Sequence, residues 1–206
     1  MRQAAKVFRD SLRDFYDDGA LLIAVNILWV GLSLPLITLP PATGGLYYVT
    51  NRIAHGYAVQ VRTFFEGFRQ YFIKSWQLAL ANLLVLAMTW ANLVFYRRLN
   101  NLWLWLPRIL LLYILLFWLA MQMYSFPLLL EQEDKRLKLV LRNAALLVLA
   151  DPLFTVILAV LLLAAVALSA ALTLPLILVT ASFVSLVANR AVLTLLMKHR
   201  AAKGEK

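Results

Sequence analysis

Few side chains in this sequence could do acid–base, nucleophilic or metal chemistry. The two histidines, His55 and His199, lie far apart, and no carboxylate stands at metal-ligand spacing beside either. The lack of cysteine excludes disulfides, thiolate nucleophiles and sulfur-bound zinc. The sequence has no glycine-rich phosphate loop, no serine elbow and no pair of membrane-embedded carboxylates. We therefore expect no catalytic residues, no metal or cofactor, and no enzyme activity.

Polar side chains that interrupt or border apolar stretches are the next candidates. They are Asn26, Asn82, Thr89, Gln122, Asp151 and Asn189. One interpretation is hydrogen bonding between closely packed helices in a membrane. The other is a polar cavity for a small solute, of the kind that broken helices form in transporters. Asp151, which precedes Pro152, also has the pattern of a helix N-cap.

Two arginines, Arg52 and Arg190, each follow an asparagine near the end of an apolar stretch. A long basic side chain at such a position can reach the lipid phosphates while its methylene stem stays in apolar surroundings. We expect both arginines to contact lipid phosphate, and pairing with Asp151 is the alternative.

Membrane helices must position these side chains, because 63% of the residues are apolar and only 15% are charged. Uncharged runs occur at 19–51, 75–96, 109–130 and 152–189. The first and last are too long for one crossing, which needs about 20 residues, and they predict hairpins. The expected fold class is therefore all-α, a polytopic helical bundle of about six spans arranged as three hairpins.

The net charge of +10 comes from short basic clusters between the apolar runs, which favours a topological signal over nucleic-acid binding. If the chain reverses within the first run, seventeen of the 20 Lys and Arg residues lie on one side. The positive-inside rule makes that side cytoplasmic, together with both termini. Without the reversal, five spans leave seven basic residues inside, or thirteen if the N-terminus is outside; this last arrangement stays open.

The candidate turn of the first hairpin consists of Pro40, Pro41, Gly44 and Gly45. Proline disfavours helix at the preceding residue, and glycine allows unusual backbone paths. The return arm, residues 42–55, is then short. It either spans the membrane, with Arg52 reaching back to the interface, or forms a re-entrant half-helix buried among its neighbours.

Three amphipathic segments precede the hairpins and should lie along the inner interface. In the second of them, Phe65, Phe68 and Phe72 are expected to face away from the charged side chains. The whole chain, 1–206, then forms one transmembrane domain: a cytoplasmic amphipathic helix at 1–18, a hairpin at 20–55, an amphipathic helix at 62–74, a hairpin at 75–130, an amphipathic helix at 135–148, a hairpin at 152–197 and a basic cytoplasmic tail at 198–206.

Several short sequence words resemble a known family. They are VNILWV with Asn26 and Trp29, SLPLIT at 33–38, PAT at 41–43, LYYV at 46–49 and FFEGFRQYF at 64–72. Together they resemble the YesL-like family of bacterial integral membrane proteins, a domain family of unknown function. The specific words lie between Asn26 and Trp76, with a weaker match from Phe126 onward. Pro40, where the family has glycine, and Tyr71, where asparagine is common, depart from its pattern.

The resemblance implies a multipass protein of the bacterial cell membrane that is often associated with carbohydrate-uptake genes, and it supplies no catalytic residues. The expected function is that of a non-enzymatic accessory or partner-binding component associated with carbohydrate uptake. Its expected partners are the lipid bilayer and a sugar importer or another membrane protein, and not nucleic acid. The alternative is a solute-binding or transport subunit with a polar cavity in the helix bundle.

Overall fold

The computed structural model describes residues 2–98 and 105–203, and these residues form ten α-helices and no β-strand. The helices are α1 (Arg2–Asp17), α2 (Gly19–Ser33), α3 (Leu39–Ala54), α4 (Val61–Gln70), α5 (Phe72–Arg98), α6 (Trp105–Glu131), α7 (Leu137–Ala150), α8 (Pro152–Leu172), α9 (Leu174–Leu178) and α10 (Thr180–Lys203). The predicted all-α helical bundle of a polytopic membrane protein is confirmed.

Four of these helices are long and apolar enough to cross a membrane alone, namely α5, α6, α8 and α10. The arms of the first hairpin are shorter than expected for six full spans. α2 has 15 residues and α3 has 16, which gives about 22 and about 24 Å against roughly 30 Å of hydrocarbon. Both arms are therefore short, whereas the sequence indicated a short return arm only. α1 bends by 93° from α2 and does not extend it as one straight span.

The chain reverses at residues 34–38, before the predicted turn. The Thr38 hydroxyl donates to the carbonyls of Leu32 and Pro35, and the Trp29 indole donates to the Thr43 hydroxyl at 3.1 Å across the hairpin. The apolar side chains of Leu34, Leu36 and Ile37 are all more than two-thirds exposed at its tip. An apolar tip whose polar groups are satisfied internally suits hydrocarbon.

The assignment of the turn to Pro40, Pro41, Gly44 and Gly45 was wrong, because all four are buried within α3. Proline is tolerated in the first helical turn, where backbone N–H groups have no intrahelical acceptor in any case. Gly44 and Gly45 do not reverse the chain but allow α3 to pack closely against neighbouring helices.

Helix α3 packs against α4 and α5 through glycines that leave no room for a side chain. A Cβ atom added at Gly45 would lie 2.7 Å from the Phe64 carbonyl oxygen, and one at Gly67 would lie 2.5 Å from Cβ of Tyr48. One at Gly44 would lie 2.3 Å from Oγ of Ser75. Such small residues let helix backbones approach closely in membrane proteins.

The close approach of α3 also sets which face of α4 is buried. Thr63, Phe64 and Gly67 face α3, with Phe64 completely buried. Contrary to expectation, Phe65 lies beside the charged side chains and is 42% exposed. It lines a shallow groove of about 260 Å³ together with Arg62, Glu66 and Arg69. The apolar spacing predicted an amphipathic helix, but the buried face of α4 is the one that carries Gly67, because this glycine packs against Tyr48 of α3.

The last apolar run is broken before its final helix. α9 ends at Leu178 and α10 begins at Thr180, and Thr173 before α9 has a left-handed φ of 56°. α10 is the most buried of the four long helices, and α5 is the most exposed. The bundle is therefore organised around α3 and α10, and α5 lies at its periphery.

Contacts between distant segments place their ends at one level of the bundle. Asp14 of α1 pairs with Arg190, whose neighbour Asn189 donates to the Thr50 hydroxyl of α3 at 2.9 Å. The Lys135 ammonium lies 5.3 Å from the ring centre of Tyr71. The end of α1 and the residues after α3 therefore share one end of the molecule. The described helices give four candidate spans, or five if α1 and α2 count as one bent span, and the choice between five and six passes stays a prediction.

Replacing Gly67 by alanine should destabilise the fold, because the new methyl group would overlap the Tyr48 side chain. Overpacking of this kind costs about 1–3 kcal/mol. The matched control is Gly31→Ala, since no atom lies within 4 Å of a Cβ at Gly31 and alanine favours helix. Thermal unfolding in detergent should show a lower midpoint for Gly67→Ala and an unchanged or higher one for Gly31→Ala. Equal midpoints would show that the α3–α4 contact is looser than described.

Candidate functional site at the end of α3

Two of the polar candidates, Asn82 and Gln122, bond to each other within the second hairpin, and the buried Nε2 of Gln122 has no partner among the described residues. The Asn82 amide donates to Oε1 of Gln122 at 3.1 Å, and the Trp118 indole donates to Oδ1 of Asn82 at 2.9 Å. Thr89, one helical heptad further along α5, donates to the Val85 carbonyl. Direct bonding between Asn82 and Gln122 leaves no space between them for a solute, so they join α5 to α6.

Asn26 bridges the break between α9 and α10. Its amide donates to the Ile177 carbonyl, and its Oδ1 accepts the Ser182 backbone N–H at 2.8 Å. A broken helix leaves backbone groups without partners, and an unsatisfied polar group is costly where water is absent. The completely buried Asn26 side chain supplies both partners from α2.

Asn189 and Asp151 lie in two further places. The Asn189 amide donates to the Thr50 hydroxyl, to the Tyr47 carbonyl and to the Ser185 carbonyl, which fixes α10 against α3. Asp151 precedes α8 as expected, but its carboxylate makes no side-chain cap and pairs instead with Lys198 at 2.5 Å. The structure thus does not bring the six polar candidates together around one cavity.

The Arg190 guanidinium forms an ion pair with Asp14, a partner that the sequence did not predict. Both side chains are largely buried, with 29% and 16% exposure. Burial raises the pKa of the Asp14 carboxyl, and the neighbouring Arg190 opposes this shift. Asp14 lies 176 residues from Arg190 in sequence. The alternative partner that the sequence suggested for Arg190, Asp151, does not pair with it.

A cluster that sequence reasoning missed lies where α3 and α6 end. Oε1 of Glu131 accepts a hydrogen bond from the Asn51 amide at 2.7 Å and lies 2.8 Å from Nε2 of His55. The Glu131 side chain is 16% exposed and that of His55 is 33% exposed. The expectation that His55 has no carboxylate nearby was correct only for sequence neighbours, since 76 residues separate the two. One feature of the sequence pointed to this contact: His55 and Glu131 each follow an apolar run and were predicted to lie at the same membrane surface.

Arg52 lies between two tyrosines beside this cluster. α3 ends in a Schellman motif, in which the N–H of Gly56 bonds the Ile53 carbonyl and the N–H of Tyr57 bonds the Arg52 carbonyl. Gly56 supplies the required positive φ of 78°. The motif turns the chain back, so the Tyr57 ring lies 5.2 Å from the Arg52 guanidinium carbon. The Tyr48 ring is 5.8 Å away on α3.

A second cation lies next to the same tyrosines. Tyr48 and Tyr71 have ring centres 5.8 Å apart, and the Lys135 ammonium lies over Tyr71 while donating to carbonyls at the end of α6. Burial lowers the pKa of Lys135, and Glu131 opposes that shift; burial also raises the pKa of Tyr71. We name Arg52, Tyr48, Tyr57, Tyr71 and Lys135 the tyrosine–cation strip.

The chemistry of this region is that of binding an anion. The Arg52 guanidinium carries five N–H donors. Among the described residues it donates one hydrogen bond, to the Tyr48 hydroxyl at 3.3 Å. Across residues 2–98 and 105–203, no carboxylate forms an ion pair with Arg52. In the same described ranges, no three His, Asp or Glu side chains gather in a way that could hold a metal ion.

Residues 22–93 match the model of a protein family described as "Protein of unknown function, DUF624". The match runs from α2 to the outer part of α5 and includes the glycine contacts of α3 and four members of the strip: Tyr48, Arg52, Tyr57 and Tyr71. This part of the chain is therefore similar to a domain of unknown function. No curated protein and no solved structure matches the chain.

Replacing Asn26 by alanine should lower stability strongly, because the Ile177 carbonyl and the Ser182 N–H would both lose their partner in a dry environment. Each unsatisfied buried group costs about 1–3 kcal/mol. Asn92→Ala is the matched control, since the Asn92 side chain is exposed and its amide donates to the Met88 carbonyl within the same helix. We expect a lower thermal midpoint for the first variant alone. If both behave as wild type, the α9–α10 break is not held by Asn26.

Glu131→Ala should also destabilise the protein, because Asn51 and His55 would lose a shared acceptor at a mostly buried position. The loss of a charged hydrogen-bond partner costs about 1.5–3 kcal/mol. Glu133→Ala, which removes an exposed carboxylate two residues away, should change the thermal midpoint little. The opposite order of the two midpoints would contradict the described cluster.

Proposed function

We propose that this chain is a non-enzymatic membrane protein that acts by docking onto a partner membrane protein. The observation that carries the proposal is the exposed Asn92 amide on the outer half of α5. Among the described residues, this side chain bonds to Met88 of its own helix alone, at 2.8 Å. Asparagine on a helix surface in a membrane is suited to hydrogen bonding with another helix.

The surroundings of Asn92 support a helix-binding surface. Helix α5 exposes apolar side chains around most of its circumference, among them Leu83, Leu84, Met88 and Trp90. Trp90 is 71% exposed. Because the chain's own bundle covers so little of this helix, its exposed side chains are available to lipid or to a neighbouring helix.

The internal polar residues support the same proposal because they argue against the alternative, a polar path for a solute. Asn26, Asn82, Gln122 and Asn189 are engaged with backbone or with each other, so their positions favour packing over a solute path. We propose an importer of saccharides as the first partner to test, and this choice is supported by the resemblance to YesL-like proteins. The proposed location is the bacterial cell membrane with both termini in the cytoplasm, supported by the distribution of basic residues.

Photo-crosslinking in native membranes tests the proposal. A photoreactive residue at Leu84 or Leu93, on the same helix as Asn92, should give a discrete protein adduct that mass spectrometry identifies as a subunit of a membrane importer. The matched control positions are Leu163 and Val160, which are equally apolar and exposed on α8. These should give lipid adducts only.

The variant Asn92→Leu should reduce the protein adduct at Leu84 several-fold while leaving thermal stability unchanged. Adducts of equal strength from α5 and α8, or none from either, would contradict docking through α5. A protein adduct that is insensitive to Asn92→Leu would remove the asparagine as the contact that carries the proposal.

A further inference from the structure

The tyrosine–cation strip has unused binding capacity. Arg52 has four N–H donors beyond its bond to Tyr48. The rings of Tyr48 and Tyr57 flank its guanidinium, which restricts its orientation at little entropic cost because stacked arginine is already planar and ordered. Among the other basic residues, Arg190 is neutralised by Asp14 and Lys198 by Asp151.

The strip lies at the level of the membrane surface in the fold. α1 bends by 93° into α2, and α3 runs back along α2, so the end of α3 lies level with α1. A helix that crosses the direction of the spans and carries charge on its outer face lies in the interface. Lipid phosphates occupy this layer, and interfacial tyrosines and arginines are suited to it.

The local charges favour an anion at this place. The facing ionisable groups are Lys135 at the end of α6, His55 after α3 and Glu131, whose carboxylate is engaged by Asn51 and His55. Arg52 and Lys135 carry two positive charges against the one carboxylate of Glu131, whose Oε1 is already engaged by Asn51 and His55. Guanidinium binds phosphate through two parallel N–H donors, a geometry that lysine does not reproduce.

We infer that Arg52, flanked by Tyr48 and Tyr57, binds the phosphate group of an anionic phospholipid at the membrane surface. Tyr57 is a positioning residue that the Schellman motif holds over Arg52, and Lys135 adds a second positive charge. The site is independent of the proposed partner surface on α5, because neither its residues nor its ligand belongs to that surface.

Native mass spectrometry of the full-length chain, released from nanodiscs that contain phosphatidylglycerol and phosphatidylcholine, tests the inference. Wild type should retain phosphatidylglycerol preferentially. Arg52→Gln should weaken this retention by about tenfold, the equivalent of one charge-assisted hydrogen bond. Arg52→Lys should be intermediate, since it keeps the charge but loses the paired donors. Arg9→Gln, at an arginine that is 80% exposed on α1, should match wild type.

Two additions keep the test decisive. Tyr57→Leu alters a residue that is 58% exposed, so it should fold normally and still weaken retention several-fold. Inorganic phosphate, titrated into protein in pure phosphatidylcholine nanodiscs, should leave the thermal midpoint unchanged. A phosphate-dependent rise in wild type that Arg52→Gln abolishes would overturn the lipid source and keep the phosphate site. Equal phosphatidylglycerol retention by wild type, Arg52→Gln and Tyr57→Leu would overturn the site itself.

Discussion

The absence of water around most of this chain requires every interruption of a helix to be satisfied by protein groups. The described residues contain three such interruptions within the apolar runs: the reversal at 34–38, Thr173 between α8 and α9, and the break between α9 and α10. Thr38 satisfies carbonyls at the first, and Asn26 bridges the last. A further threonine, Thr180, donates to the Pro175 carbonyl at 3.0 Å. The positions of α2, α3 and α10 follow from these few polar side chains.

The satisfied reversal has consequences for the rest of the bundle. It allows α3 to return beside α2, with Gly45 against Phe64 of α4 and Gly44 against Ser75 of α5. Tyr48 of α3 lies in turn against Gly67 of α4. Close packing at Gly67 fixes Tyr48, and the Schellman motif at the end of α3 brings Tyr57 to the other side of Arg52. The positions of Tyr48, Arg52 and Tyr57 in the tyrosine–cation strip thus depend on the reversal, because the reversal places α3.

The sequence predicted much of this fold and little of its local chemistry. Apolar run lengths and basic clusters predicted the helices and the shared end of α1 and α3, because both depend on average composition. Pro40 and Pro41 misled the turn assignment, since proline fits the start of a helix as well as a turn. The pairings of Glu131 with His55 and of Arg190 with Asp14 depend on three-dimensional packing across 76 and 176 residues, and no spacing in the sequence encodes them.

The chain turns back between α2 and α3, so we expect α1 and the residues after α3 to share one membrane surface. Because the chain has no cysteine, single cysteines at exposed positions can be labelled from either side of sealed vesicles. We predict that the label reacts with Arg9→Cys, Arg62→Cys and Lys138→Cys from one side of the vesicle and with Leu106→Cys from the other. Labelling of Arg9→Cys and Arg62→Cys from opposite sides would contradict it.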